Sequence, residues 1–211
     1  KILQFGTGVL LRGLPDYFVE KSNRRGVFNG RIVVVKSTSA GNVDIFKKQD
    51  GLYSIYTRGI QNGEIIEEVD INASISRVFK ADESWDEILK VARQPELRIV
   101  ISNTTEIGIV YSDDNIHFSP PVTYPGKLLS VLYERFRGFE GDPSKGMIII
   151  PTEMIINNGK ILRDILIRLS EFNGLEQPFI QWLKVSNHFC NSLVDRIVPG
   201  RLSAKDQAKV Q

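Results

Sequence analysis

Gly6-Thr7-Gly8, followed by Leu11-Arg12, is the group of residues in this chain best suited to hold a diphosphate. The run Lys1-Ile2-Leu3-Gln4-Phe5 before it reads as a buried strand, and Val9-Leu10-Leu11 after it opens a helix. In such a turn Gly6 permits the tight reversal and Gly8 lets backbone approach phosphate with no side chain in the way. The helix start then offers unpaired N–H groups and a positive dipole end, with Arg12 one turn in. The pattern falls short of the full G-x-G-x-x-G fingerprint, because position 11 is leucine and the next glycine is Gly13. An ordinary strand-to-helix turn is the competing reading.

The end of the next strand is where a dinucleotide site chooses between a ribose hydroxyl and a 2′-phosphate, the hydroxyl being held by an acid. Here it reads Val35-Lys36-Ser37-Thr38-Ser39, with no acid. A lysine followed by hydroxyls suits a phosphate, which leans towards NADP; alternatively Lys36 is a solvated strand end. Three further polar clusters follow apolar runs: Ser102-Asn103-Thr104-Thr105-Glu106, Pro151-Thr152-Glu153, and His188 to Ser192. Open α/β sheets bind ligands at the carboxyl ends of their strands, so Asn103 and Thr104 join the candidate cofactor residues. Glu106 and Glu153 read first as hydrogen-bonded caps near helix starts. His117 and His188 lack partners at metal-ligand spacing, and no metal is expected. No nucleophile elbow, Walker loop or C-x-x-C is present.

Strands alternating with amphipathic helices must position these residues, which predicts a Rossmann-like, doubly wound and mainly parallel α/β sheet. The strand candidates are Ile2 to Gly6, Ile32 to Lys36, Arg98 to Ser102, Met147 to Pro151, and Val185 to Cys190. Helical spacing joins Leu10, Leu11, Leu14, Tyr17, Phe18 and Lys21, then Trp85, Ile88, Leu89 and Ala92 behind a Ser84/Glu87 capping box. Further helix faces are Leu128, Leu129, Leu132 and Phe136, and Ile161, Ile165, Leu166 and Leu169. An antiparallel hairpin, Leu52 to Arg58 with Glu64 to Val69, is inserted around the Asn62-Gly63 turn.

The chain has 211 residues, 42% of them hydrophobic and 25% charged, with a formal net charge of +2. That balance gives no electrostatic case for nucleic acid or a membrane surface, and the longest apolar runs are strand-sized. The single cysteine, Cys190, fits a reducing compartment and a cytoplasmic protein. Residues 1–200 read as one NAD-binding domain. The polar, helix-prone 201–211 reads as the start of a truncated helical C-terminal domain, so the whole reads as a piece of a longer protein.

Asn191-Ser192-Leu193-Val194-Asp195-Arg196-Ile197-Val198-Pro199 resembles the signature of the mannitol dehydrogenase family of polyol-specific long-chain dehydrogenases. Gln4-Phe5-Gly6-x-Gly8 with Leu11-Arg12, Gln49-Asp50-Gly51-Leu52-Tyr53, Asn103-Thr104-Thr105-Glu106, Tyr124-Pro125-x-Lys127-Leu128, Ile149-Ile150-Pro151-x-Glu153 and Phe189-Cys190 are similar to its altronate-acting branch. The resemblance implies NAD as cofactor despite the basic strand end at Lys36. It further implies hydride transfer between NADH and the keto group of a sugar acid, tagaturonate, in hexuronate breakdown. Sister activities are reduction of fructuronate and oxidation of mannitol-type polyols. In the polyol enzymes the asparagine before V-D-R-I assists the reacting oxygen, which makes Asn191 the catalytic candidate. Their general acid/base lysine lies in a K-x4-N-x2-H motif, and neither histidine here is preceded by Asn at three and Lys at eight residues. That lysine therefore belongs to the expected C-terminal domain, and the isolated piece is expected to bind nucleotide without turnover. Asp195-Arg196 is expected to form an ion pair that holds its loop. Nothing in the sequence fixes an oligomeric state.

Overall fold

A computed structural model describes residues 1–38, 43–104 and 108–200, together with 203 and 207. In chain order it contains β1 (Ile2–Phe5), α1 (Val9–Gly13), α2 (Pro15–Arg24), β2 (Ile32–Lys36), α3 (Asp44–Lys48), β3 (Tyr53–Gln61), β4 (Glu64–Asn72) and β5 (Ile75–Lys80). There follow α4 (Trp85–Ala92), β6 (Ile99–Ser102), α5 (Tyr124–Gly138), β7 (Ile148–Pro151), α6 (Asn158–Phe172), α7 (Gln177–Val185) and β8 (His188–Phe189).

Six strands form one sheet in the order β5-β2-β1-β6-β7-β8, and every pairing is parallel. This is the doubly wound arrangement, in which the chain works outward from β1 on one side and then restarts beside β1 with β6. The central strands read as unbroken apolar runs because helices cover both faces: all of β1 and β2 is buried. Leu3, Phe5, Val33 and Val35 point into a core shared with α4 to α7, while Ile2, Ile32 and Val34 point into a second core with Leu11, Val19 and Phe46.

The hairpin forms as expected but is longer, with nine residues in each strand. Asn62 and Gly63 both take positive φ, 54° and 84°, as a type I′ turn requires. Three sequence expectations are corrected. Val185 ends α7 rather than opening a strand, since the buried Asn187 side chain accepts from Met147 N and donates to the Trp182 carbonyl, leaving only His188–Phe189 to pair. Ser84 stands at the N-cap of α4 without a side-chain cap bond, so no capping box forms. The first helix is broken at Leu14 (φ −124°, ψ −81°) ahead of Pro15, which rotates its faces: Asp16 and Val19 are buried while Phe18 is exposed. β5, α3 and α7 were not anticipated. The helical start expected in 201–211, and Ser39, Thr105 and Glu106, lie outside the described residues or in isolated positions among them.

Candidate functional site

Because all six strands run the same way, their carboxyl ends share one edge, and the order reverses between β1 and β6. Gly6 ends β1 at this point with φ +123°, its N–H donating to Val35 O at 2.9 Å. A Cβ on Gly6 would stand 2.8 Å from the Asn103 carbonyl oxygen and 2.9 Å from Leu11 Cδ1, so only glycine fits. Gly8 is the opposite case. It is exposed, its backbone is ordinary (φ −65°, ψ 159°), and a Cβ there would meet nothing within 4 Å. The N–H groups of Thr7, Gly8, Val9 and Leu10 have no hydrogen-bond partner among the described residues. The turn from Gly6 into α1 is therefore an open cradle whose unpaired donors are the N–H groups of Thr7 to Leu10. These donors, rather than a long helix dipole, supply its positive character, because α1 is only five residues long.

Leu11 occupies the place of the missing third glycine, but it does not face a ligand. Its side chain is fully buried, and the space it fills is the one Gly6 leaves by lacking a Cβ. The small residue of this helix–strand contact is thus Gly6. Gly13 admits Val198, whose methyl groups would lie 3.2 Å from a Cβ there. Arg12 lies with its guanidinium carbon 5.8 Å from the ring centroids of both Phe46 and Tyr53. Its buried Nε has no partner among the described residues.

At the end of β2, Lys36 is buried, not solvated, and its ammonium donates to the Thr38 carbonyl oxygen and to Thr38 Oγ1, each at 2.8 Å. It thereby fixes Thr38 beside the end of β2. The Ser37 hydroxyl beside it is buried without a partner among the described residues.

The ends of β6, β7 and β8 are stitched together by side chains. Asn103 Nδ2 donates to Thr152 O (3.0 Å) and Oγ1 (3.1 Å). Glu153 caps no helix; buried between β6 and β7, it accepts from Ser102 Oγ, Thr104 N and Thr104 Oγ1. Burial first, and the Glu153 charge second, push the nearby Tyr124 phenol well above its ordinary range, so it stays protonated. Asn158 was missed by sequence reasoning. Its amide donates to the carbonyls of Pro151, Glu153 and Ser192, and its oxygen accepts from Gly159 N and Ser192 N. The adjacent Gly159 is equally required, since a Cβ would lie 2.4 Å from the Cys190 carbonyl oxygen.

This stitching presents Asn191. Its Oδ1 accepts from the Lys160 N–H at 3.0 Å, which orients the amide because an N–H must meet an acceptor. The exposed Nδ2 is the end left over and bonds to nothing among the described residues. The chain beyond it crosses the carboxyl edge back to the first helices: Arg196 stands 5.0 Å over the Tyr17 ring and Val198 packs on Gly13. The expected Asp195–Arg196 ion pair is not formed, as the Tyr17 face takes the guanidinium instead. His188 lies on β8 and His117 in a loop, and no group of three His, Cys, Asp or Glu among the described residues could hold a metal ion. No helix among them is long and apolar enough to cross a membrane.

The profile of the mannitol dehydrogenase Rossmann domain matches residues 1–211. The chain is 42% identical over 201 residues to the altronate oxidoreductase of Bacillus subtilis, and 41% identical over 202 residues to that of Escherichia coli O7:K1. Each match takes in 95% of this chain but 42% of the relative, so the chain spans about two fifths of their length. Among solved structures, mannitol 2-dehydrogenase of Pseudomonas fluorescens, in ternary complex with NAD and D-mannitol, superposes with a TM-score of 0.81 at 24% identity. That match covers 99% of this chain and 44% of that one. A substrate-free D-sorbitol dehydrogenase gives a TM-score of 0.77 at 21% identity, over 99% of this chain and 45% of that one. With its Rossmann order, its glycine cradle and a family match over its whole length, the chain belongs to the mannitol dehydrogenase family and supplies the family's Rossmann domain.

Proposed function

We propose that this chain binds NAD(H) at the carboxyl edge of its sheet and forms the dinucleotide-binding part of an enzyme that reduces tagaturonate to altronate. The observation that carries the reading is the Gly6–Gly8 cradle, with four unpaired N–H groups at the point where strand order reverses. A pyrophosphate fits there, because the space in which a Cβ on Gly8 would stand is empty and Arg12, one turn on, is held by two rings. Ser37, and the loop fixed by Lys36, lie where the adenosine ribose belongs in this fold. NAD rather than NADP is favoured because the Lys36 ammonium is already bound to Thr38. The mannitol 2-dehydrogenase of Pseudomonas fluorescens, seen in complex with NAD, points the same way.

When bound, NADH supplies the hydride. Asn191 then donates its Nδ2–H to the substrate oxygen as negative charge develops, its own oxygen being pinned by Lys160 so that the amide cannot turn over. Asn103 and Thr104 shape the floor of this half of the site through Thr152 and Glu153. The proton comes from a lysine of the part of the enzyme that follows, consistent with relatives more than twice as long. The relatives at 41–42% identity are altronate oxidoreductases, which favours the sugar acid over a polyol as substrate.

The test is NADH oxidation by the full-length enzyme with tagaturonate, fructuronate and fructose offered in parallel. Preference for tagaturonate is expected, and preference for either other substrate would reassign the activity within the family.

A further inference from the structure

Gln4 Nε2 donates to the Gly6 carbonyl oxygen at 3.4 Å and so joins the cradle to a buried polar cluster, of which the proposed function uses only Arg12. Asp16, completely buried at the start of α2, lies beside Gln4 of β1, Arg12 of α1 and Tyr53 of β3. Its main-chain oxygen accepts from Asn72 Nδ2 of β4. Glu20 of α2 acts on Tyr53 from the outer side and is held by Arg24, while Phe46 of α3 is uncharged. Three atoms here have no partner among the described residues: Gln4 Oε1, Arg12 Nε and Asp16 Oδ1.

The Tyr53 hydroxyl is the joint of the cluster. Its oxygen is 3.1 Å from the Arg12 carbonyl oxygen and 3.2 Å from Asp16 Oδ2. A phenol has one proton and these are two acceptors: with Asp16 ionised they must share it or compete for it, whereas a protonated Asp16 can donate to the phenol and make both contacts full hydrogen bonds. In that state the phenol is free to donate to the Arg12 carbonyl oxygen, which fixes the Tyr53 ring, its centroid 5.8 Å from the guanidinium carbon. With Asp16 ionised, the phenol turns to the carboxylate, the tie to Arg12 is lost, and a negative charge lies next to the guanidinium.

We propose that Asp16 is a positioning residue for dinucleotide binding, its protonated form holding Arg12 through Tyr53 in the posture that receives a phosphate and its ionised form competing with that phosphate. This rests on the dinucleotide reading above. Burial, opposed by Gln4, Tyr53 and the Arg12 charge, raises the carboxyl from 3.8 to about 7, which places the change within the working range of an enzyme. The sign follows from charge. Bound phosphate favours neutral Asp16, so binding takes up a proton and affinity falls as pH rises through about 7.

The experiment is NADH titration by fluorescence between pH 6.0 and 8.5, a range in which the pyrophosphate keeps both charges. It uses the wild-type chain, Asp16→Asn, Tyr53→Phe and Arg12→Ala, each checked for a cooperative melt. Wild-type affinity is expected to fall about tenfold across the range. Asp16→Asn, whose amide donates to the phenol at every pH, keeps the tight value throughout. Tyr53→Phe, surviving if Asp16→Asn fails to fold, starts from weaker binding at pH 6.0 and has a flatter profile. A wild type with no slope, or an Asn variant that retains it, overturns the proposal. Unchanged affinity in a folded Arg12→Ala would instead overturn the assignment of Arg12 to phosphate.

Discussion

Two glycines two residues apart have opposite reasons for being glycine. Gly6 is required by the fold, since it combines φ +123° with a carbonyl oxygen 2.8 Å from any added Cβ. Gly6→Ala is expected to destabilise the domain by about 1–3 kcal/mol, read as a lower midpoint in urea. Gly8 has ordinary backbone angles and open space, so Gly8→Ala should melt with the wild type, within ~0.5 kcal/mol. Equal losses in the two variants would show that the loop is not built as described. The glycine spacing was legible in the sequence because it is a local pattern. What stands in for the third glycine was not, since the fit of Leu11 over Gly6 depends on a helix packing back on its own strand. Lys36 follows the same rule: its type and place were readable, but its burial and its tie to Thr38 leave no mark on the local pattern.

At the scale of elements, β1, β2, β6 and β7 were readable because each is a short, mostly apolar run, buried throughout in β1 and β2 and for the most part in β6. Edge strands gave weaker signals. β5 alternates exposed Ser76 and Arg77 with buried residues, and β8 has only two. The helix α7 was hidden because Pro178 in its first turn looks like a break, although it buries Phe179, Ile180, Trp182 and Leu183. Arg135 is the most consequential residue that no local pattern marks. Wholly buried on α5, it donates to the carbonyls of Ala92, Gln94 and Lys145, closing the end of α4 and the turn before β7. Burial lowers its guanidinium to about 10, so it remains charged at neutral pH. Arg135→Ala strands those three carbonyls and should cost about 3 kcal/mol or more, measured by chemical denaturation; a variant as stable as the wild type would make those contacts incidental. Asn191 depends on the meeting of β8 and α6 at Gly159. In the full-length enzyme Asn191→Ala should lower kcat about a hundredfold with NADH affinity nearly unchanged. Loss of NADH binding instead would make Asn191 architectural.

At the scale of the whole molecule, the segments that follow β6, β7 and β8 leave Val110, Val122, Met154, Ile156 and Leu193 exposed. The altronate oxidoreductase relatives are more than twice as long as this chain. Residues 1–211 alone are therefore expected to bind NADH but not to oxidise it with tagaturonate, whereas the longer chain does both; turnover by 1–211 would place every catalytic group within this domain. That the Gly6–Gly8 cradle holds the dinucleotide is tested most directly by titrating NADH into this chain and into folded Gly8→Val while following nicotinamide fluorescence. Saturable one-to-one binding by the wild type and severe loss in the variant are expected, because a branched side chain fills the space the pyrophosphate needs. Undiminished affinity in a Gly8→Val protein with a wild-type melt would contradict the assignment.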